Sequence, residues 1–263
     1  KSIKVLLLTT SFPLRREAKS GIFIWQMIRH LPSHSKITVL TPAVANRDPC
    51  LKKEKNFRLY CFAYAPRKWQ ILAHRPGGLP FVLKYQKRLF FLLPCLLGSM
   101  TLNCYLLARK ADIIHANWSI NGLIAGLVGM ILKKPVMTTL RGSDIQRAQK
   151  SRLDRFLLRL CVRLNQRVIA VSRTIQNLLV AQFPSQQHKF VVISNGVSQE
   201  FLDIRRQYRE ASPVVLMTAG SLTPQKGMHV ILQAMEMVKP HSDLRLQILG
   251  DGPCMAYLQG LAQ

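Results

Sequence analysis

The residues of this 263-residue chain that could do chemistry gather where apolar runs stop. The fullest case is Val214-Val215-Leu216-Met217-Thr218-Ala219-Gly220-Ser221-Leu222-Thr223-Pro224-Gln225-Lys226-Gly227. It reads as a buried-type strand, a glycine-bounded loop carrying one lysine, and a helix predicted from Met228. Loop amides and a helix N-terminus then point at an anion, and an ammonium reaches it from the side. Gly220, Ser221, Lys226 and Gly227 are therefore predicted phosphate contacts. A second strand, residues 244–249, ends in Gly250-Asp251-Gly252-Pro253, which adds Gly250 and Gly252 to the same loop cluster.

The first part of the chain repeats the arrangement with other polar groups. Thr9-Thr10-Ser11-Phe12-Pro13 follows the first apolar run, and Gly21 opens the next helix. His115-Ala116-Asn117-Trp118 follows Asp112-Ile113-Ile114, and Arg141-Gly142-Ser143-Asp144 follows Val136-Met137-Thr138-Thr139-Leu140. Ser172 is a predicted helix N-cap, and Ser194-Asn195-Gly196-Val197 closes the series. One such group alone is a cap or a turn former. Five at the carboxyl edge of one parallel sheet make a polar rim facing a cleft, where such sheets bind ligands.

The elements that must position them alternate. Strands are predicted at residues 3–9, 36–40, 57–63, 112–116, 135–140, 168–171 and 189–193. Helices are predicted at 21–31, over a long region from 81 to 110, and at 119–132, 151–167 and 173–182. Short Ile/Val/Leu strands separated by helices indicate an α/β fold with a doubly wound parallel sheet. Residues 42–56 and 66–80 read as loops. Ser151 with Asp154 makes a capping-box-like start. Leu153, Leu157, Leu160 and Leu164 are read as one face of that helix, and Arg152, Arg155, Arg159 and Arg163 as a face that docks on anionic lipid. The polar stretch 199–212 reads as a linker between a first domain, 1–198, and the start of a second, 213–263.

The net charge of +26 is confined to the first part. Residues 1–213 hold 35 Lys and Arg against 9 Asp and Glu, whereas residues 214–263 hold three of each. Such a field attracts anionic lipid, phosphorylated substrates or nucleic acid. A nucleic-acid module lacks support, since no RNP-like, zinc or helix-turn-helix signature is present. The six cysteines show no CxxC and no metal-ligand spacing, which points to reduced, buried thiols and a cytoplasmic setting. No signal peptide is read, because residues 1–4 lead straight into a strand. The apolar stretch 89–107 has nearly the length of a membrane span, but its place between strands reads as a buried or surface-lying helix.

The ordered set Pro13…Gly21, Asp112-Ile113-Ile114-His115-Ala116-Asn117-Trp118, Arg141-Gly142-Ser143-Asp144, Val168-Ile169-Ala170-Val171-Ser172, Asn195-Gly196-Val197, Gly220-Ser221-Leu222…Lys226-Gly227 and Gly250-Asp251-Gly252-Pro253 resembles the family 4 glycosyltransferases of the GT-B fold. The resemblance implies two Rossmann-like domains, the first for the acceptor and the second, incomplete here, for a UDP- or GDP-linked nucleotide-sugar. It implies transfer with retention of anomeric configuration, no catalytic metal and no cofactor beyond the co-substrate. It makes Lys226 the cation on the donor diphosphate, with His115 and Arg141 as further catalytic candidates and Gly21 as a point of close approach to that diphosphate. Asn117, Trp118, Asp144 and Asn195 become acceptor-side contacts. A lipid-linked or anionic glycan acceptor at the cytoplasmic membrane face, in bacterial surface-polysaccharide biosynthesis, fits the charge.

Three positions depart from the family pattern. Ser221 stands where Arg is frequent, Arg141 where His is frequent, and Asn117 where a second His is frequent. The pair of glutamates that the family places seven residues apart in its second domain is absent up to Gln263. This stretch alone is thus expected not to transfer sugar, and residues 214–263 to be marginally ordered. A GT-B epimerase or phosphorylase is the alternative enzyme. A dinucleotide oxidoreductase lacks the Gly-x-Gly-x-x-Gly it needs after the first strand.

Overall fold

A computed structural model describes residues 2–14, 18, 21–32, 34–45, 57–74, 78–205, 213–238 and 243–262. Cys50, Gly77, most of the loop predicted at 42–56 and residues 206–212 of the predicted linker lie outside them. The described chain divides into two units, Lys1–Leu202 and Asp203–Gln263.

Unit 1 is built on seven parallel strands: β1 (Ile3–Leu8), β2 (Ser35–Pro42), β3 (Phe57–Phe62), β4 (Ile113–Asn117), β5 (Val136–Leu140), β6 (Arg167–Ala170) and β7 (Phe190–Val192). Their order is β3-β2-β1-β4-β5-β6-β7. The chain steps outward from β1 to β3, returns across the sheet to β4, and then steps the other way. The direction therefore reverses between β1 and β4, and in open α/β sheets ligands bind beyond the strand ends at that point.

The helices are α1 (Ile22–Arg29), α2 (Gly78–Tyr85), α3 (Leu92–Ala108), α4 (Ser119–Leu132), α5 (Ser143–Lys150), α6 (Arg152–Leu164), α7 (Arg173–Gln182) and a short α8 (Gln199–Leu202), which occupies the start of the predicted linker. The long helical region predicted from 81 to 110 breaks into α2, a 3₁₀ turn at Lys87–Phe91 and α3. Pro94 falls in the first turn of α3, where a missing N–H costs no helical bond. Lys87–Ala108 is long and apolar enough to cross a membrane. Its stripe Leu92, Leu96, Met100, Cys104 and Ala108 nevertheless joins Leu6, Leu8, Ile114 and Ala116 in one core cluster. Burial of each of Leu92, Leu96 and Met100 contributes about 2 kcal/mol, and those contacts belong to the sheet.

Helix α5 is absent from the sequence reading. Only Ile145, Ala148 and Asp144 of its eight residues are buried, too thin an apolar pattern to register. The predicted helix at 151–167 ends at Leu164. Its Ser151 cap holds, with the Asp154 N–H donating to Ser151 Oγ at 3.2 Å. Its buried face differs from the leucine stripe predicted: Leu158, Cys161 and Val162 face the core, while Leu153 and Phe156 are exposed beside the four arginines. Close packing of α4 on its neighbours needs glycine. A Cβ at Gly122 would lie 2.5 Å from Thr138 Oγ1 and 2.6 Å from Cys161 Sγ. The described cysteines form no disulfide; Cys104 and Cys161 are buried, but Cys95 is exposed, contrary to the reading of uniformly buried thiols.

Unit 2 pairs β8 (Val214–Ala219) with β9 (Leu244–Leu249) in parallel, with α9 (Met228–Val238) between them and α10 (Met255–Leu261) after. Its buried core is small: Leu222, Met228 and Leu258.

Candidate functional site

The carboxyl edge of unit 1 is organised around one guanidinium. Arg141 leaves the end of β5 and donates from Nε (3.3 Å) and Nη2 (2.9 Å) to Asn117 Oδ1, at the end of β4. Its Nη1 donates to Asn195 Oδ1 at 2.8 Å, in the loop after β7. Its Cζ lies 3.9 Å from the ring centroid of Phe23 on α1. Three predicted residues are thus brought together, with an aromatic ring that the sequence reading did not include.

The hydrogen-bond partners of this guanidinium are neutral amides. Burial lowers the Arg141 pKa to about 10, opposed by the charge of Asp144, so it stays protonated at neutral pH. Asp144 is tied in place: Oδ1 accepts from Ser119 N (3.0 Å), Ser119 Oγ (2.9 Å) and Arg147 Nη2 (3.3 Å), and Oδ2 from Arg141 N (3.5 Å). It is 1 % exposed. It ties the start of α4 to α5 and so positions the residues on either side. A protonated fork held by amides and a ring retains positive potential for an incoming phosphate or carboxylate, the geometry that arginine matches best.

Asn117 carries a second sign of a ligand site. It is fully buried, and its Nδ2 has no partner. The two guanidinium donors require the amide oxygen on their side, so rotating the amide cannot relieve the nitrogen. A buried donor left unpaired costs about 1–3 kcal/mol, and an oxygen placed there recovers it. Next to it, Trp118 adopts φ 70° and ψ 156° at the start of α4, a region other side chains rarely enter. Its ring meets Phe23 edge-to-face at 6.2 Å.

His115 sits inside β4 rather than at its end. Its Nε2 is 2.9 Å from Thr139 Oγ1. Burial, and then the charge of Arg141, lower its pKa to about 4, so the ring is neutral at pH 7. Gly21 has φ 77°, and a Cβ there would run into the Ser11 carbonyl and the Phe12 Cα. The loop after β1 by itself accounts for a glycine at this position. That loop is held by His74, which the sequence reading did not single out. Its Nε2 lies 2.8 Å from Pro42 O, and Phe12 N donates to its Nδ1 at 3.0 Å. Nδ1 also lies 2.9 Å from Phe12 O; the carbonyls at both ring nitrogens favour the charged ring, but burial outweighs them and lowers the His74 pKa. Ser172 caps α7, accepting from Ile175 N at 3.2 Å.

In unit 2 the loop after β8 makes a 3₁₀ turn at Pro224–Lys226, and Gly227 turns the chain at φ 64° into α9. Lys226 is exposed on that turn. Gly250 and Gly252 press on the backbones of Gly220 and Leu222. The Leu222 N–H donates to Asp251 O, and the Cys254 N–H to Leu222 O. Those two glycines therefore lock one loop against the other, while Ser221 and Lys226 are exposed. A cavity of about 190 Å³ lined by Thr223, Pro224, Met228, His229, Tyr257 and Leu258 lies beside the loop. A larger depression of about 540 Å³, lined by Arg163, Arg167, His188 and Lys189, opens at the amino ends of β6 and β7, the edge opposite the Arg141 rim.

The family profile for glycosyltransferase family 4 matches residues 20–201. An uncharacterized glycosyltransferase of Methanocaldococcus jannaschii, MJ1178, is 28% identical over 142 residues, covering 54% of this chain and 37% of its own length. The chain spans less than half the length of the curated relatives it matches. Among solved structures, sucrose-phosphate synthase from Thermosynechococcus elongatus superposes with a TM-score of 0.68 at 16% identity, over 99% of this chain and 67% of that one. Anabaena HepE in complex with UDP-glucose gives 0.64 at 15% identity, over 98% and 64%. These likenesses establish the fold, the GT-B type seen in unit 1.

Proposed function

The chain belongs to glycosyltransferase family 4, and from that premise we propose that it moves a sugar from a UDP- or GDP-linked donor to an anionic acceptor, lipid-linked or polysaccharide. The observation that carries the reading is the Arg141 clamp: a half-buried, protonated guanidinium whose hydrogen-bond partners are neutral amides, beside the unpaired Asn117 Nδ2. Such a group binds an oxyanion without reorganising, and preorganised charge is worth most where water is excluded. Arg141 and Asn117 would orient the acceptor's anionic group, with Asn195 and Trp118 bordering it. His115, neutral and bonded to Thr139, would hold the strand end in register rather than exchange a proton.

The loop of unit 2 would take the donor diphosphate on its amides and on Lys226, whose ammonium offsets the charge of the departing nucleotide. HepE, solved with UDP-glucose, supports that donor class. The basic surface of unit 1 supports work at the cytoplasmic face of a membrane, in the assembly of surface polysaccharide. The test is product analysis with radiolabelled UDP- and GDP-sugars and extracted lipid acceptors, on a form of the protein that carries a complete donor domain. The expected product carries the donor's anomeric configuration. Epimerised free nucleotide-sugar, or cleavage that requires inorganic phosphate, would replace this reading with an epimerase or a phosphorylase.

A further inference from the structure

We propose that unit 1 rests on an anionic bilayer through an aromatic–basic patch made by the 3₁₀ turns Arg67–Trp69 and Lys87–Phe91 and the end of α2. The proposal rests on the membrane-face reading above and names the surface responsible. Trp69 is 47% exposed, Tyr85 61%, Phe90 52% and Phe91 56%. Trp69 and Phe91, far apart in sequence, meet edge-to-face with ring centroids 5.3 Å apart at 73°. At ~200 Å² per ring, the four offer roughly 400 Å² of aromatic surface to solvent, in the range of the largest apolar patch on a typical monomer, which is often functional.

The patch is backed by rigid structure. Leu89 and Leu92, on either side of Phe90 and Phe91, are buried in the main core. The Arg67–Trp69 turn is held from behind: Gln70 Nε2 donates to Ala65 O at 2.9 Å, and Leu72 N to the Tyr64 hydroxyl at 2.9 Å. Phe90 and Phe91 are thus fixed outward while their neighbours are fixed inward.

Charge selects the occupant. Arg67, Lys68, Lys87 and Arg88 are all exposed around the rings. Arg67 is steadied by its Nε–H donating to Ala45 O at 2.7 Å. From Phe57 to Ala111 the sequence contains no Asp or Glu, so no neighbouring carboxylate in this stretch neutralises the four cations. Tryptophan and tyrosine favour the headgroup level, and lysine and arginine favour anionic headgroups. A bilayer supplies both an apolar layer and a plane of negative charge. The location adds a reason. One turn follows the end of β3, and the other precedes α3, which runs back to the start of β4. The patch therefore lies on the same sheet edge as Arg141, where a lipid-borne acceptor would arrive.

Flotation of the full chain with vesicles of phosphatidylcholine alone, or with about a third phosphatidylglycerol, tests this. Binding is expected only with the anionic vesicles and is expected to weaken with salt. The triple variant Trp69→Ala/Phe90→Ala/Phe91→Ala should lose roughly tenfold or more in binding, with an unchanged circular dichroism spectrum. Brominated lipid should quench tryptophan fluorescence in the parent, and Trp69→Phe should remove most of that quenching. A parent chain that floats with neither vesicle removes the membrane-face reading and this proposal together. A parent that binds while the triple variant binds equally, or quenching that survives Trp69→Phe, overturns the proposal alone. Loss of binding only on neutralising Arg152, Arg155, Arg159 and Arg163 of α6 does so too, and moves the contact to that helix.

Discussion

The two units carry the same local device, a strand that ends in a loop with one cation before a helix, yet they hold the cation in opposite ways. Arg141 is half wrapped by Asn117, Asn195 and Phe23 at the edge of a seven-stranded sheet. Lys226 stands in solvent on a 3₁₀ turn beside a two-stranded pair. A large core can fix neutral acceptors around a guanidinium, and so deliver charge already oriented. A small one leaves the ammonium to its rotamers, and the anion must order it on arrival.

Substitution should separate the two sharply. In a form of the protein that carries a complete donor domain, Arg141→Ala is expected to cut kcat/KM by roughly a thousandfold, and Arg141→Lys to recover little, because a single ammonium cannot bridge both amides. Lys226→Ala should cost less, roughly ten- to a hundredfold. Equal losses in steady-state assays would break the comparison.

Acid should distinguish the units next. His115 titrates at about pH 4 when folded and near its ordinary 6.5 when unfolded. The unfolded chain therefore binds the extra proton first. Stability is intact above pH 6.5 and falls as pH drops toward 4, by on the order of 3 kcal/mol. His74, also lowered by burial, acts in the same direction. Denaturant unfolding followed by unit 1 probes at pH 7.5 and 4.5 measures it; an unchanged midpoint would contradict the buried, neutral histidines.

The smallest contrast concerns packing. Gly122→Ala, in contact with Thr138 and Cys161, should destabilise unit 1 by about 1–3 kcal/mol. Gly260→Ala on α10, where a Cβ meets nothing within 4 Å, should stabilise its helix by up to ~1 kcal/mol. Thermal melts of the two variants check both signs.

The strands were readable because a two-sided parallel sheet demands unbroken Ile, Val and Leu, and few other structures do. Polar residues at their ends exposed the Asn117, Arg141 and Asn195 rim for the same reason. Helix α5 escaped because a helix lying at the sheet edge buries so little. The face of α6 was misread because leucines were weighed and Cys161 was not. Phe23, which seats Arg141, and His74, which pins the loop after β1, could not be read at all. Their partners lie on other strands or helices, and nothing local marks them.

Trp118 has a consequence for anyone engineering this protein. Its backbone, at φ 70° and ψ 156°, suits glycine, and the strain is worth about 1–3 kcal/mol. A screen that selects only for heat resistance should therefore drift toward Trp118→Gly. The winner would have lost the ring that packs on Phe23, and with it the support beneath Arg141, so thermotolerance and turnover are set against each other at this one residue.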